Sequence, residues 1–225
     1  MRKNGIIIAI DGPTGSGKST TAKKVAERLG FLHLNTGAMY RAFALLVRRR
    51  DHGGHDPERV HQLISEAQIS FSDEGKILLE GVDVSREIQE PDIALLASEL
   101  STNPEVRAKL VEKQRAIGNN GGVVLEGRDI GTVVFPDAEL KIFLIADQLV
   151  RAQRRMLELD HLGTHIPLDE LAVQIAERDK RDRERAISPL LQAPDAIVVD
   201  TTNLTFDGQV ERVLELAMER MGVKG

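Results

Sequence analysis

Ile6, Ile7, Ile8 and Ile10 form an apolar run without the alternation of a half-exposed strand, which predicts a strand buried on both faces in a parallel sheet. Ala22, Val25, Ala26 and Leu29 then recur at helical spacing. Residues 31–35 (FLHLN) read as a short strand, and Thr36 is expected to cap a helix running through Met39, Phe43, Leu46 and Val47. The polar stretch 48–57 ends that helix. From 68 to 84 the texture changes: QISFSDEGKILLEGVDV holds three short β-type runs separated by Asp-Glu-Gly and Glu-Gly turn signals, a small antiparallel insert. Helical patterns follow at 93–101 and 105–117, the second after Asn103-Pro104 and closing near Gly118. Buried strands recur within 121–131 and 140–147, followed by helices around 148–159 and 168–185. A last strand is expected at 196–202 and a last helix at 210–221. Strands alternating with helices predict an α/β, doubly wound parallel sheet with its active site beyond the strand C-terminal ends.

The 225 residues, 41% of them hydrophobic, are enough for one α/β domain with inserts. A net charge of -5 argues against non-specific binding of DNA or RNA, so a small ligand is expected and no nucleic acid. There is no cysteine, which removes thiolate chemistry. Met-Arg-Lys-Asn leads into the first strand without a signal-like apolar stretch, and no run approaches a membrane span; a cytoplasmic protein without a membrane partner is expected.

The junction of the first strand and helix carries the chemistry. From Gly12 through Pro13, Thr14, Gly15, Ser16, Gly17, Lys18 and Ser19, the chain fits G-x-x-x-x-G-K-[ST] at every position, with Thr20 next. Glycines let consecutive N–H groups turn around an anion, Lys18 reaches the outer phosphates, and the Ser19 hydroxyl suits Mg²⁺. Switches, motors, ligases and small-molecule kinases share such a loop.

A kinase also needs cations between two anionic reactants. Arg128 and Asp129 follow Glu126 at the end of a buried strand, flanked by Gly127 and Gly131, and are placed in the ligand crevice. In ERDKRDRERA (177–186), Arg178, Arg181 or Asp182, and Arg185 share one helical face, although the alternating Glu177, Asp179, Asp182 and Glu184 also fit a solvated, ion-paired helix. RAQRRM (151–156) is equally ambiguous; the two Arg-rich helices, joined by the polar stretch 160–167, suit a lid. Tyr40-Arg41 fits either core plus solvent or a base-and-phosphate contact. His33, His52, His55, His61, His161 and His165 show no metal-ligand spacing and read as surface or loop residues.

IDGPTGSGKST, NTGAMYRAFA, GRDIGTVVFPDAELKIFL and ERDKRDRERAISPL, in this order, resemble the blocks of the bacterial cytidylate kinases, a branch of the nucleoside monophosphate kinases. The resemblance spans nearly the whole chain. It implies a three-layer P-loop NTPase fold with a central parallel five-stranded sheet, an antiparallel β insert and a helical lid. The core would comprise 1–35 and 120–225, with the lid at about 151–185, and 36–119 the monophosphate-binding region, with its insert at about 67–85. It implies transfer from MgATP to CMP or dCMP, giving ADP and CDP or dCDP; a monomer is expected. By motif, Arg41, Arg128 and Arg185 would hold the acceptor phosphate and Tyr40 would pack beside the nucleotide, with Thr36 in the same substrate set. Ser98, Arg107 and Asp129 would read the cytosine edge, and Arg178 and Asp182 would reach the sugar. Arg155 and Arg151 would act from the lid on the transferring phosphoryl group, and Glu126 would be an indirect Mg²⁺ partner. Ser19 stands where many relatives carry Thr or Gly, and Thr36 where others have Ser; both keep or gain a hydroxyl.

Overall fold

The computed structural model describes residues 2–51, 56–72, 74–161 and 163–223. Its strands and helices run β1 (Ile7–Asp11), α1 (Lys18–Leu29), β2 (Leu32–Asn35), α2 (Thr36–Asp51), α3 (Pro57–Glu66), β3 (Ile69–Phe71), β4 (Ile77–Leu79), β5 (Val82–Asp83), α4 (Pro91–Leu100), α5 (Pro104–Gly118), β6 (Val123–Gly127), β7 (Leu140–Ile145), α6 (Gln148–His161), α7 (Leu168–Glu184), β8 (Ile197–Asp200) and α8 (Phe206–Met221). A 3-10 turn covers Glu87–Gln89 and a π-helical turn Ile130–Val134. Five strands form one parallel sheet in the order β2-β6-β1-β7-β8, and β3-β4-β5 form a separate antiparallel sheet, the expected α/β architecture with its insert.

The chain divides into two compact units, 1–33 with 120–225, and 34–119. In the first, β1 is central and wholly buried, which is why it lacks alternation. Ile6, Ile8 and Ile10 join Val25 and Ala26 of α1, Ile142 and Leu144 of β7, and Val210, Val213 and Leu214 of α8 in one core. Ile7, Ala9 and Asp11 face the other way. A separate apolar cluster of Ala152, Leu159, Leu171 and Ile175 ties α6 to α7, so this hairpin has a core of its own. In the unit 34–119, α2 packs against α3, α4 and β4, with Phe43, Leu45 and Leu46 buried.

Three expectations change. Thr36 does not precede its helix but begins it; the Asn35 side chain accepts from the Ala38 N–H at 2.8 Å, so the cap lies one residue earlier. Helix α3, absent from the periodicity reading, starts on a local signal: Asp56 accepts from the N–H groups of Glu58 and Arg59, and Pro57 holds the first helical position. Helix α8 begins four residues ahead of the expected 210, because the Thr205 hydroxyl caps Gly208 N. His52 and His55 lie outside the described residues. Among the described residues, no helix is long and apolar enough to cross a membrane.

Candidate active site

The loop between β1 and α1 is closed by two helices. At Gly15 (φ +74) a Cβ would stand 2.9 Å from the Arg151 carbonyl oxygen, and at Gly17 (φ +85) 2.7 Å from the Gln209 amide nitrogen. Only glycine satisfies both backbone and space there. Gly17 leaves the N-terminus of α1 without a side-chain cap, the arrangement in which helix N–H groups take an anion. The Lys18 ammonium donates to the Pro13 carbonyl at 2.6 Å and lies 3.4 Å from the Ser16 hydroxyl, which itself donates to Pro13. Burial, and then the Arg128 charge, push the Lys18 pKa well below the usual lysine range. Thr20 donates to the Gly17 carbonyl at 3.0 Å.

Support comes from beneath. Gln209 of α8, buried, donates to the Thr21 hydroxyl and to the Gly17 carbonyl at 3.3 Å. Thr201, just past β8, accepts from Arg154 at 3.0 Å.

At the strand ends, Glu126 of β6 accepts from the Ser19 hydroxyl at 2.5 Å, and its other oxygen is 3.2 Å from His33 Nε2. Burial opposes ionisation of Glu126, but the His33 hydrogen bond and charge, the Ser19 bond and the Lys18 charge outweigh it and hold the carboxyl below its ordinary range. His33, read from sequence as a surface or loop residue, is instead a strand residue against this carboxylate; its signal was its place in β2. His61 and His165, paired with Glu105 and Asp160, are exposed as expected.

Arg128 reaches both ways: Nε donates to Asp182 at 2.7 Å and Nη2 to the Thr14 hydroxyl at 2.8 Å. Burial disfavours its charge, yet Asp182, then Asp179 and Glu126, more than compensate and raise its pKa. Asp182 is conversely held below the carboxylate range: burial raises it, and the Arg128, Arg178 and Arg185 charges prevail. Asp129 is buried, with Arg185 Nη2 at 3.7 Å. Arg151 of α6 donates to the Thr14 carbonyl at 2.9 Å and to Asp179 at 2.5 Å, while Asp179 also accepts from Thr14 N at 3.3 Å.

Helix α7 thus turns Asp179 and Asp182 inward, with Arg178 half-buried beside them and Arg181 exposed. These carboxylates hold arginines from neighbouring elements, and Arg178 and Arg185 add their charges beside Asp182. Arg155 points to Glu158 at 3.0 Å on its own helix, so of the two lid arginines Arg151 is the one at the loop.

In the unit 34–119, Thr36, Tyr40 and Arg41 lie on the first turns of α2, Ser98 on α4 and Arg107 on α5. The Arg107 guanidinium stands 5.6 Å from the centre of the Tyr40 ring and donates to the Ser101 carbonyl at 3.2 Å. Asp11, Asp179, Thr201 and Gln209 were missed by sequence reasoning; only Asp11 had a local cue, a carboxylate ending a buried strand. Among the described residues, no three of His, Cys, Asp and Glu cluster to hold a metal.

The family model described as cytidylate kinase matches residues 8–219. The chain is 48% identical over 223 residues to a cytidylate kinase of Geobacter sp. (strain M21), covering 98% of this chain and 94% of that one. It is 46% identical over 230 residues to a cytidylate kinase of Citrifermentans bemidjiense, covering 100% and 99%. Among solved structures, it is similar to a shikimate kinase from Bacteroides thetaiotaomicron at a TM-score of 0.49 and 13% identity, covering 94% and 97%.

Proposed function

The chain belongs to the cytidylate kinase family, and from that premise we propose that it transfers the γ-phosphoryl group of ATP to CMP or dCMP, giving ADP and CDP or dCDP. The observation that supports this most is the double reach of Arg128. A cation assigned to the acceptor phosphate touches Thr14, a residue of the loop assigned to the donor. Transfer between two anions needs charge of this kind between them.

No side chain acts as nucleophile. An oxygen of the acceptor phosphate attacks the γ-phosphorus in line, the β,γ-bridging oxygen leaves with ADP, and the protein supplies position and charge. We assign the N–H groups of residues 12–20 and Lys18 to the ATP phosphates; Arg41, Arg128 and Arg185 to the acceptor phosphate; and Arg151 and Arg155 to the transferring group. Lys18, buried against the Pro13 and Ser16 oxygens, would exchange these contacts for phosphate oxygens, whose negative charge favours its ammonium form. Tyr40 and Thr36 are assigned to the nucleotide, Arg178 and Asp182 to the sugar, and Ser98, Arg107 and Asp129 to the cytosine edge. Mg²⁺ suits the Ser19 hydroxyl as a hard oxygen ligand, with Glu126, bonded to that hydroxyl, as an indirect partner, and when bound would neutralise charge on the phosphates. We further place the reaction in the cytoplasm and the chain as a monomer, without nucleic-acid or membrane partners.

Cytosine differs from uracil by an N4 amino donor, for which a carboxylate is the natural acceptor. A panel of nucleoside monophosphates incubated with MgATP and resolved for diphosphates should yield CDP and dCDP ahead of the others. In Asp129→Ala, kcat/KM for CMP should fall at least ~10-fold, about 1.4 kcal/mol for a lost charge-assisted bond, with UMP changing much less. Equal use of AMP, or ATP hydrolysis indifferent to acceptor, overturns the reading.

A further inference from the structure

The turn that carries Arg128 and Asp129 is capped from a distance. An Asp before a helical turn ordinarily accepts from its first N–H groups with its own carboxylate. Asp129 occupies that position, at φ −145° and ψ 25°, and makes no capping hydrogen bond. The N–H groups of Ile130 and Gly131 donate instead to the two oxygens of Asp11, at 2.9 and 2.7 Å. Asp11 is the last residue of β1, only 4% exposed, and adjoins Gly12, where the phosphate loop starts. It is in register with Gly127 of β6, immediately before Arg128. One side chain therefore joins the root of the donor loop to the turn that presents the acceptor-side residues.

We propose that Asp11 is a positioning residue for phosphoryl transfer: by capping the Ile130–Val134 turn, it sets where that turn presents the Asp129 carboxylate and holds Arg128 against the phosphate loop. The inference rests on the cytidylate kinase reading. The chemistry requires a carboxylate, since its two oxygens accept from two neighbouring N–H groups at once. An amide of the same shape has one accepting oxygen and turns an NH₂ toward the second donor. The turn, and with it the Asp129 it carries, then loses its fixed place. The groups facing Asp11 are Ile130 N, Gly131 N, the Asp129 carboxylate and the Lys18 ammonium, and the Lys141 stem of β7 lies against Gly131. Burial is the largest influence on Asp11 and raises its pKa to about 6 despite the two N–H bonds.

The experiment compares wild type, Asp11→Asn, Asp129→Ala and the double variant, with CMP and with UMP, at about pH 8, where Asp11 is ionised. Asp11→Asn is expected to lower kcat/KM for CMP by ~10-fold or more and to shrink the CMP/UMP ratio, while KM for ATP moves less than ~3-fold. In the Asp129→Ala background the same change should leave the CMP/UMP ratio where Asp129→Ala put it, the non-additivity expected of two residues in one interaction. A wild type that prefers CMP with an Asp11→Asn that keeps its CMP KM and CMP/UMP ratio, or with additive losses, overturns the inference alone. A wild type without CMP preference overturns the functional reading and this inference with it. Should Asp11→Asn fail to fold, amide NMR of the wild-type chain decides. The Ile130 and Gly131 resonances are expected to titrate together near the Asp11 value of about 6, and a flat response of both overturns the proposed cap.

Discussion

Two regions of this chain are written in nearly the same letters and behave differently. In one, Arg48 pairs with Glu90 at 2.6 Å and Asp92 at 2.7 Å, Arg49 with Glu87 at 2.6 Å, and Arg50 with Glu80, all at the surface of the unit 34–119. In the other, Arg151 and Asp179 meet at 2.5 Å with side chains 7% and 6% exposed, and Arg128 and Asp182 at 2.7 Å with 18% and 11%. Bond lengths scarcely distinguish them; access of water does. Exposed pairs are screened and contribute ~0–1 kcal/mol each, whereas a buried pair has given up hydration and leaves a stranded charge when one partner is removed. In the second region, therefore, Arg128 and Arg151 depend on the α7 carboxylates for their aim.

The comparison is tested hardest by Asp179→Ala. It strands Arg151 and removes an acceptor of Thr14 N, and is expected to cost about 3–5 kcal/mol in urea unfolding. A loss below ~1 kcal/mol would place this pair with the surface ones.

Next in size is a pH effect with the sign opposite to that of an ion-paired carboxylate. The Asp11 pKa rises from 3.8 to about 6 on folding, so between these values the folded state binds more protons than the unfolded and stability falls as pH rises. The window is worth about 3 kcal/mol, at 1.36 kcal/mol per pH unit. Unfolding free energies of wild type and Asp11→Asn, followed from pH 4 to 7, should diverge by this amount, with wild type losing ground as pH rises. Parallel curves would show that Asp11 keeps an ordinary pKa. Asp182, held low by Arg128, contributes in the other direction, its stabilisation being lost as pH falls through its depressed value.

Lys18→Met removes the buried cation of the loop and should lower turnover ~100-fold, about 2.7 kcal/mol of transition-state stabilisation, with the circular dichroism spectrum unchanged. Wild-type turnover in this variant would detach the loop from the chemistry. The smallest effect belongs to Arg49→Ala: less than ~1 kcal/mol in stability and no change in kcat with CMP. A change in kcat there would mean that the surface pairs also matter to turnover.

The sequence by itself determined the phosphate loop and the sheet around it, because both rest on local chemistry. Ile6 to Ile10 are apolar on both faces, and Gly12 to Ser19 match the phosphate-loop pattern by spacing alone. The candidate residues Arg128, Asp129 and Asp182 were legible for a related reason, since strand ends and helix faces follow from period. Tertiary structure decided which member of each charged run faces inward, as with Asp179 beside Arg178 and Arg151 rather than Arg155. An alternating run of acids and bases has the same pattern whether water or protein covers it. It also decided the roles of Asp11, His33 and Gln209, whose partners lie 119, 93 and 188 residues away. A hydrogen bond closed over that distance leaves no period in the chain, and burial, which makes it matter, is a property of the packed molecule alone.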